Sequence, residues 1–354
     1  MKILIYSDLH ISRTSSIMPL GEDSKYTYRQ KMIIELGKYL EELIDIEKPD
    51  LIINCGDTFD KNTITSYDIE VASEFFKCFR MSTVPHLVLV GNHEMVNQTY
   101  NAVKLLGNIN NITVITDPCT VDPKLFTNAN EDIKLAFLPY CNYNDIIEFP
   151  EGDFLFSHQD IQGSLLRGDF RLPSGIEPSI LKDKYKLVFN GHIHKPSIEN
   201  NIINVGSVTT HSFSDDNEAT PQCYIFDTNT LDLKTFKPTC CPLFRKFTIK
   251  NNISELTDYL NILNKNYKYI LHIICPFELK EMVKEIINNN SNIIANRLNV
   301  VIDKEETNID NNETININLK TNIDINQTFK EFIDTINLNY PKEYYLKVLE
   351  GIDI

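Results

Sequence analysis

Six short hydrophobic runs punctuate the first 195 residues of this chain, and five of them stop at residue types that bind metal ions. Lys2 to Ser7 leads into Asp8 and His10, Leu51 to Cys55 into Gly56-Asp57, and Leu87 to Val90 into Gly91-Asn92-His93-Glu94. Leu135 to Leu138 leads into Pro139-Tyr140, Phe154 to Phe156 into Ser157-His158, and Leu187 to Phe189 into Asn190-Gly191-His192-Ile193-His194. Only the run before Tyr140 lacks a ligand; the others deliver seven, namely Asp8, His10, Asp57, Asn92, His158, His192 and His194. Runs this short and this continuously apolar read as strands covered on both faces. In open α/β sheets, sites form outside the carboxyl ends of such strands. The pattern therefore constrains the chain to an α/β fold with ligands gathered along one sheet edge.

Side chains two apart on an extended segment share a side, so Asp8-x-His10 and His192-x-His194 each present a pair. The glycines before Asp57 and Asn92 let the chain turn at once. Histidine and carboxylate donors with one amide oxygen and no thiolate suit Mn²⁺, Fe or Zn²⁺. Seven donors are too many for one ion and divide between two, with one carboxylate shared. Two ions about 3.5–4 Å apart clamp a phosphodiester and lower the pKa of a bound water from ~15.7 towards ~7. His93, beside a ligand, suits steadying phosphate charge or protonating a leaving oxygen. His86 starts a strand and His272 lies in an apolar run, so both read as structural; His211 is open.

The bulk numbers bound the rest. A chain of 354 residues with 42% hydrophobic side chains buries a core without staples. No apolar stretch approaches the ~18 residues that span a bilayer. The N-terminus does not read as a signal peptide, because Lys2 already starts a strand. The eight cysteines include no C-x-x-C pair, which predicts reduced thiols and a cytoplasmic location. The net charge is −15, and the first 245 residues carry 22 Lys/Arg against 33 Asp/Glu. Phosphate binding favours a basic face, so a nucleic-acid substrate needs local basic loops or a basic partner.

Strands and helices alternate through residues 1–243, with helices expected over Tyr26 to Ile46 and Ser66 to Met81. The character then changes. A strand at Phe247 to Ile249, a helix at Ile253 to Leu263, a strand at Tyr269 to Cys275, a helix to about Asn288 and a strand at Leu298 to Ile302 predict an α+β module over 244–303. Residues 304–327 are rich in Asn, Asp, Glu and Ile and read as a linker, with an edge strand at Ile315 to Leu319 left open. Residues 328–354 read as a helical tail, either docking a partner or folding back on the chain.

The set Asp8-Leu9-His10, Gly56-Asp57, Gly91-Asn92-His93-Glu94, His158 and Gly191-His192-Ile193-His194 resembles the calcineurin-like metallophosphoesterase signature, with every ligand position filled. The resemblance implies a four-layer αββα sandwich. It implies that Asp8, His10 and His194 hold one metal, Asn92, His158 and His192 the other, that Asp57 bridges, and that His93 is the catalytic histidine. More narrowly, Gly56-Asp57-Thr58-Phe59-Asp60, the Gly91 motif, Gly206-Ser207, Ser212-Phe213 and Asn217-Glu218 are similar to SbcD-type nucleases, including phage recombination versions. That similarity implies two manganese ions, DNA as substrate, 3′–5′ exonuclease and single-strand endonuclease action in DNA repair and recombination, and an SMC-like ATPase partner. It casts 244–303 as a capping domain and the tail as the ATPase-binding segment. Dimerisation through helices of the first domain also occurs in relatives, and no feature here decides it.

Asp60 departs from cellular relatives, some of which carry a histidine there, and is a candidate site neighbour. Arg13, Lys25 and Arg29 after the first ligands, and Arg167 and Arg171 after His158, are candidate DNA contacts. The alternatives are a small-molecule phosphodiesterase or a protein phosphatase with the same ligands, against which the module and tail speak, and a non-catalytic scaffold, against which the intact ligand set speaks.

Overall fold

The computed structural model describes residues 1–12, 26–80, 83–97, 101–109, 111–128, 132–146, 148–210, 212–213 and 220–301. Arg13, Lys25, His211, Asn217, Glu218, the linker over 304–327 and the tail over 328–354 lie outside the described residues.

Two six-stranded sheets form the bulk of the chain. In the first, Lys2–Tyr6, Leu51–Asn54, His86–Leu89 and Ile112–Ile115 run parallel, and Cys223–Asp227 and Leu233–Phe236 extend it antiparallel beside Lys2–Tyr6. In the second, Leu135–Leu138, Phe154–Ser157, Leu187–Asn190 and Ile202–Asn204 run parallel, with Cys119–Val121 and Ser197–Glu199 as antiparallel edges.

Alternation along each strand decides the layers. Ile3, Ile5, Leu51, Ile53, Leu87 and Leu89 face the second sheet and meet Leu135, Phe137, Phe154, Phe156 and Phe189. Leu4, Tyr6, Ile52 and Val88 point the other way, onto helices α1 (Tyr28–Glu47) and α2 (Ser66–Arg80). The second sheet's outer residues, Ala136, Leu138, Leu155 and Val188, are covered by Leu181 of a seven-residue helix and by Ile161 and Ile176 from loops. The result is the expected αββα sandwich, with a thin fourth layer. His86, expected to be structural, is buried beneath α2, 3.1 Å from the Tyr6 hydroxyl, and burial depresses its pKa to about 3.

Helix α1 starts two residues later than the hydrophobic pattern suggests. Thr27 accepts from the Gln30 amide at 3.3 Å and Gln30 Oε1 accepts from the Thr27 amide at 2.8 Å, a reciprocal cap that fixes the first turn at Tyr28. Lys48, in the left-handed region, ends it.

After the last strand of the first sheet, Leu243–Thr248, Tyr269–Pro276 and Ile293–Val301 form a parallel three-stranded sheet. Helices Ser254–Ile262 and Lys280–Asn288 pack on one face of it around Leu256, Leu271, Ile273, Val283 and Ile287. The first strand begins at Leu243, earlier than the sequence pattern places it, because Phe244 and Ile270 are buried against Phe213 and Tyr28 rather than inside the module. The described cysteines are free thiols. No described helix is long and apolar enough to cross a membrane.

Phe75 anchors the helical layer, with its ring 5.0 Å from Phe76, 5.4 Å from Phe79 and 6.3 Å from Tyr6. Phe75→Ala leaves a cavity there and is expected to cost about 3–5 kcal/mol in urea unfolding, whereas a loss below about 1 kcal/mol would show that this layer repacks freely.

Candidate metal centre

Parallel register brings the strand ends together. Tyr6 pairs with Asn54, and Leu138, Ser157 and Asn190 align across the second sheet. The loops leaving these ends are stitched to each other by backbone bonds: Asp8 N to Gly56 O at 3.0 Å, His10 N to Asp57 O at 2.9 Å and Tyr140 N to Val90 O at 2.9 Å. All seven predicted ligands lie on this edge and fall into two groups. Asp8, His10 and His194 form one; Asp57, His158 and His192 form the other, joined by Asn92.

The local geometry differs from the extended pairs that the spacing suggests. Asp8, His10, Asp57 and His192 all have left-handed backbones, with φ of 54°, 46°, 52° and 69°. Left-handed non-glycine residues are uncommon, and four at one edge are strain that the interlocked loops must hold. The pairs converge through tight turns after the strands end, not through strand alternation. Two glycines permit the close fit: a Cβ on Gly56 would collide with the His158 ring, and one on Gly91 with the Asp57 carboxylate.

Asp57 stands at the centre. Its Oδ1 accepts from the His93 amide at 3.0 Å. Its Oδ2 lies 3.5 Å from His10 Nε2 and 3.3 Å from His158 Nε2, between the two groups. Glu94 braces the same loops from below, accepting from the Phe59 amide at 2.9 Å and the Gly91 amide at 2.7 Å. Burial and the nearby Asp57 push the Glu94 carboxyl up, and the two amides hold it back. Glu94 stands in the Gly91 motif, but the sequence alone gives it no role.

The orientation of the histidines is fixed from outside. His158 Nδ1 donates to the Cys55 carbonyl at 2.7 Å, which turns Nε2 towards Asn92 Oδ1, 3.1 Å away. His192 Nε2 donates to Asp160 Oδ1 at 3.0 Å, which turns Nδ1 towards the same Asn92 oxygen, 2.9 Å away. Three lone pairs, from Asn92, His158 and His192, thus converge when the rings are neutral. In the other group, His10 Nε2 and His194 Nε2 are 3.2 Å apart, with Asp8 Oδ1 at 3.8 and 3.7 Å. Both Asp8 oxygens are buried and accept no hydrogen bond among the described residues. Buried lone pairs facing one another are stable only with a cation or protons between them. Metal–nitrogen bonds of about 2.0–2.1 Å place neighbouring donors roughly 3.0–3.4 Å apart, so the donor set fits metal ions.

His93 is exposed beside this edge, its ring centroid 4.6 Å from that of His10. Its Nδ1 lies 2.8 Å from the Asp60 carbonyl, which can only accept, so Nδ1 carries the hydrogen and Nε2 is left to face outward chemistry. The Asp60 side chain lies 3.4 Å from His10 Nδ1. Tyr140, whose run supplied no ligand, stands with its ring 5.9 Å from His192 and 6.4 Å from His158.

Residues 1–196 match the calcineurin-like phosphoesterase family. The chain belongs to that family. Its relatives include probable exonuclease subunit 1 of Escherichia phage T5, 27% identical over 278 residues, which are 73% of this chain and 76% of that protein. Exonuclease subunit 1 of Enterobacteria phage T4 is 28% identical over 187 residues, 50% of this chain and 53% of that protein. The SbcD subunit of the nuclease SbcCD from Staphylococcus saprophyticus is 25% identical over 244 residues, 61% of this chain and 62% of that protein.

The basic candidates fare differently in this phosphoesterase. Arg29 is not a surface contact: it is 2% exposed and donates to the carbonyls of His10 at 2.8 Å and Thr210 at 2.9 Å. It lies on the inward side of α1's first turn, where a buried guanidinium must spend its donors on carbonyls. Arg171 is exposed, bound to the Gly163 carbonyl at 2.6 Å and to Glu199 at 2.7 Å. Arg167 ends the strand Leu165–Arg167 paired with Phe170–Arg171.

Charge couples the ligands to protons. Burial alone would depress the histidines, yet Asp60, Asp8 and Asp57 raise His10 to about 10, and Asp57 and Asp8 raise His158 to about 9. Without metal both rings therefore hold a proton at pH 7.5, and coordination must expel it. Metal loading at pH 7.5 is expected to release roughly two protons per chain from these rings, and affinity to fall as pH drops. Calorimetric titration in two buffers of different ionisation enthalpy measures the release; a value near zero would contradict this electrostatic picture.

Proposed function

We propose that this phosphoesterase is a dimetal DNA nuclease, the hydrolytic subunit of a complex with an SMC-like ATPase. The observation that carries the reading is the Asp57 carboxylate lying between His10 and His158, within 3.5 Å of each. In this reading Asp8, His10 and His194 hold one ion, Asn92, His158 and His192 the second, and Asp57 both. When bound, two divalent ions, taken as manganese, supply an activated water and neutralise charge on a phosphodiester.

The chain's own residues do the rest. The Asn92 amide oxygen would add a neutral donor to the second ion's site, neutralising less of its charge than another carboxylate would. His93, with Nδ1–H held by the Asp60 carbonyl, presents Nε2 to the phosphate; protonated, it stabilises developing charge and passes its proton to the leaving oxygen. Tyr140 walls the His158–His192 side.

Nuclease action is supported by the relatives, which are named exonuclease and nuclease subunits; DNA as substrate, with 3′–5′ exonuclease and single-strand endonuclease action in repair and recombination, is what the motif resemblance implies. Those relatives are named as subunits, which favours a partner subunit here, read in this proposal as the SMC-like ATPase. Such a partner also answers the charge problem: the chain carries −15, and Arg29 and Arg171 are engaged within the protein. In this reading residues 1–243 are the nuclease domain, 244–303 the capping domain, and 328–354 the partner-binding tail beyond a linker over 304–327. The setting is the cytoplasm of a bacterial or phage-infected cell.

The test is digestion of end-labelled linear duplex DNA with Mn²⁺, with EDTA, and with His93→Ala. Shortening is expected with Mn²⁺ only, and His93→Ala is expected to lower it about 10²–10⁴-fold while still binding metal. Unchanged cleavage by His93→Ala would remove it from the mechanism. Hydrolysis of a small chromogenic diester without DNA cleavage would retain the site and overturn the substrate.

A further inference from the structure

Two of the histidines around Asn92 are oriented by different means. The outer nitrogen of His158 is held by a backbone carbonyl, that of Cys55. The outer nitrogen of His192 is held by a side chain, the carboxylate of Asp160, at 3.0 Å. That carboxylate only accepts, so His192 carries its hydrogen on Nε2 and presents the Nδ1 lone pair to the group formed by Asn92, His158 and Asp57. The His192 ring stands 5.2 Å from that of His158 and 5.9 Å from that of Tyr140, and Asp160 supplies the hydrogen-bond acceptor on its outer nitrogen.

Asp160 is well placed to act on the ring alone. Its backbone is held independently: its carbonyl accepts from the Ile176 amide at 2.8 Å, Gln162 N donates to Ile176 O at 3.0 Å, and Ile161 bridges Ile176. Its side chain is 32% exposed, so truncating it opens no core cavity. The fold does not depend on the carboxylate, whereas the tautomer of His192 does.

We infer that Asp160 is a positioning residue that sets the tautomer and ring orientation of His192 and thereby the affinity of one of the two metal sites. The inference rests on the two-metal reading above. A carboxylate behind a metal-bound imidazole fixes its tautomer and raises its basicity, and loss of such a partner typically weakens metal binding about 10–100-fold. The effect is confined to the ion held by Asn92, His158 and His192, because the bond from Asp160 goes to His192. The ion held by Asp8, His10 and His194 keeps its own donors.

The test is Mn²⁺ titration by calorimetry of the full chain, wild type against Asp160→Ala and Asp160→Asn, beside urea unfolding of each metal-free protein. The wild type is expected to bind two ions. Asp160→Ala is expected to keep one at wild-type affinity and to weaken the other about 10–100-fold, with hydrolysis lost at limiting Mn²⁺ and restored in excess. Asp160→Asn, whose amide oxygen still accepts from Nε2–H, is expected to fall between. Two ions bound at wild-type affinity by Asp160→Ala would overturn the inference and leave the two-metal reading standing. So would equal weakening of both ions, or a metal-free variant that unfolds more easily, since either makes the carboxylate structural. A wild type that binds one ion would defeat the two-metal reading itself, and this inference with it.

Discussion

Lone pairs that point at one another govern this structure. Asn92, His158 and His192 aim acceptor atoms into one space, and Asp8, His10 and His194 into the next, with Asp57 between. Such a cluster repels itself when empty, and burial makes the repulsion worse. Metal-free, His10 and His158 take up protons although buried, because the nearby carboxylates of Asp57 and Asp8, and of Asp60 for His10, hold their pKa up. In the proposed two-metal state the same atoms would be the ligand set. The fold around them is what stops the cluster from relieving itself by moving apart.

That restraint comes from the loops rather than from the strands. The loops after Tyr6 and Asn54 are bonded backbone to backbone, as are those after Leu89 and Leu138, and Glu94 ties the Asn54 loop to the Leu89 loop through the Phe59 and Gly91 amides. Arg29, inside the first turn of α1, clamps the carbonyl of His10 to that of Thr210. Ser207 Oγ donates to the Asp8 carbonyl at 2.8 Å. Four left-handed residues at the edge cost backbone energy, and these buried hydrogen bonds offset it. Rigidity of this kind keeps charged groups preorganised, so that little rearrangement is needed when a phosphate arrives.

Much of this was legible in the sequence, and the exceptions have physical causes. Strands buried on both faces read as unbroken apolar runs, so the parallel strands announced themselves, while their division into two packed sheets was implied by the family resemblance. The metal-binding residue types at their ends were equally plain, since Asp, Asn and His rarely close five apolar runs out of six. The turns that bring the ligands together were not: Asp8-x-His10 looks extended on paper, and only the structure shows φ of 54° and 46°. Arg29 was read as a surface cation because arginine is seldom fully buried. Asp160 sits in the stretch Ser157-His158-Gln159-Asp160, which carries no second motif, and its bond to His192 spans 32 residues that no local pattern connects. The short antiparallel edge strands, such as Cys119–Val121 and Ser197–Glu199, are too brief to show a period.

The central claim is that two ions share the Asp57 carboxylate. Electron paramagnetic resonance of the Mn²⁺-loaded chain, with metal content measured on the same sample, tests it most directly. Two ions about 3.5–4 Å apart across a carboxylate are exchange-coupled. Two Mn²⁺ per chain are expected, with a coupled spectrum that becomes isolated-ion-like when Asp57 is replaced. One Mn²⁺ per chain, or two with an uncoupled spectrum in the wild type, would contradict it.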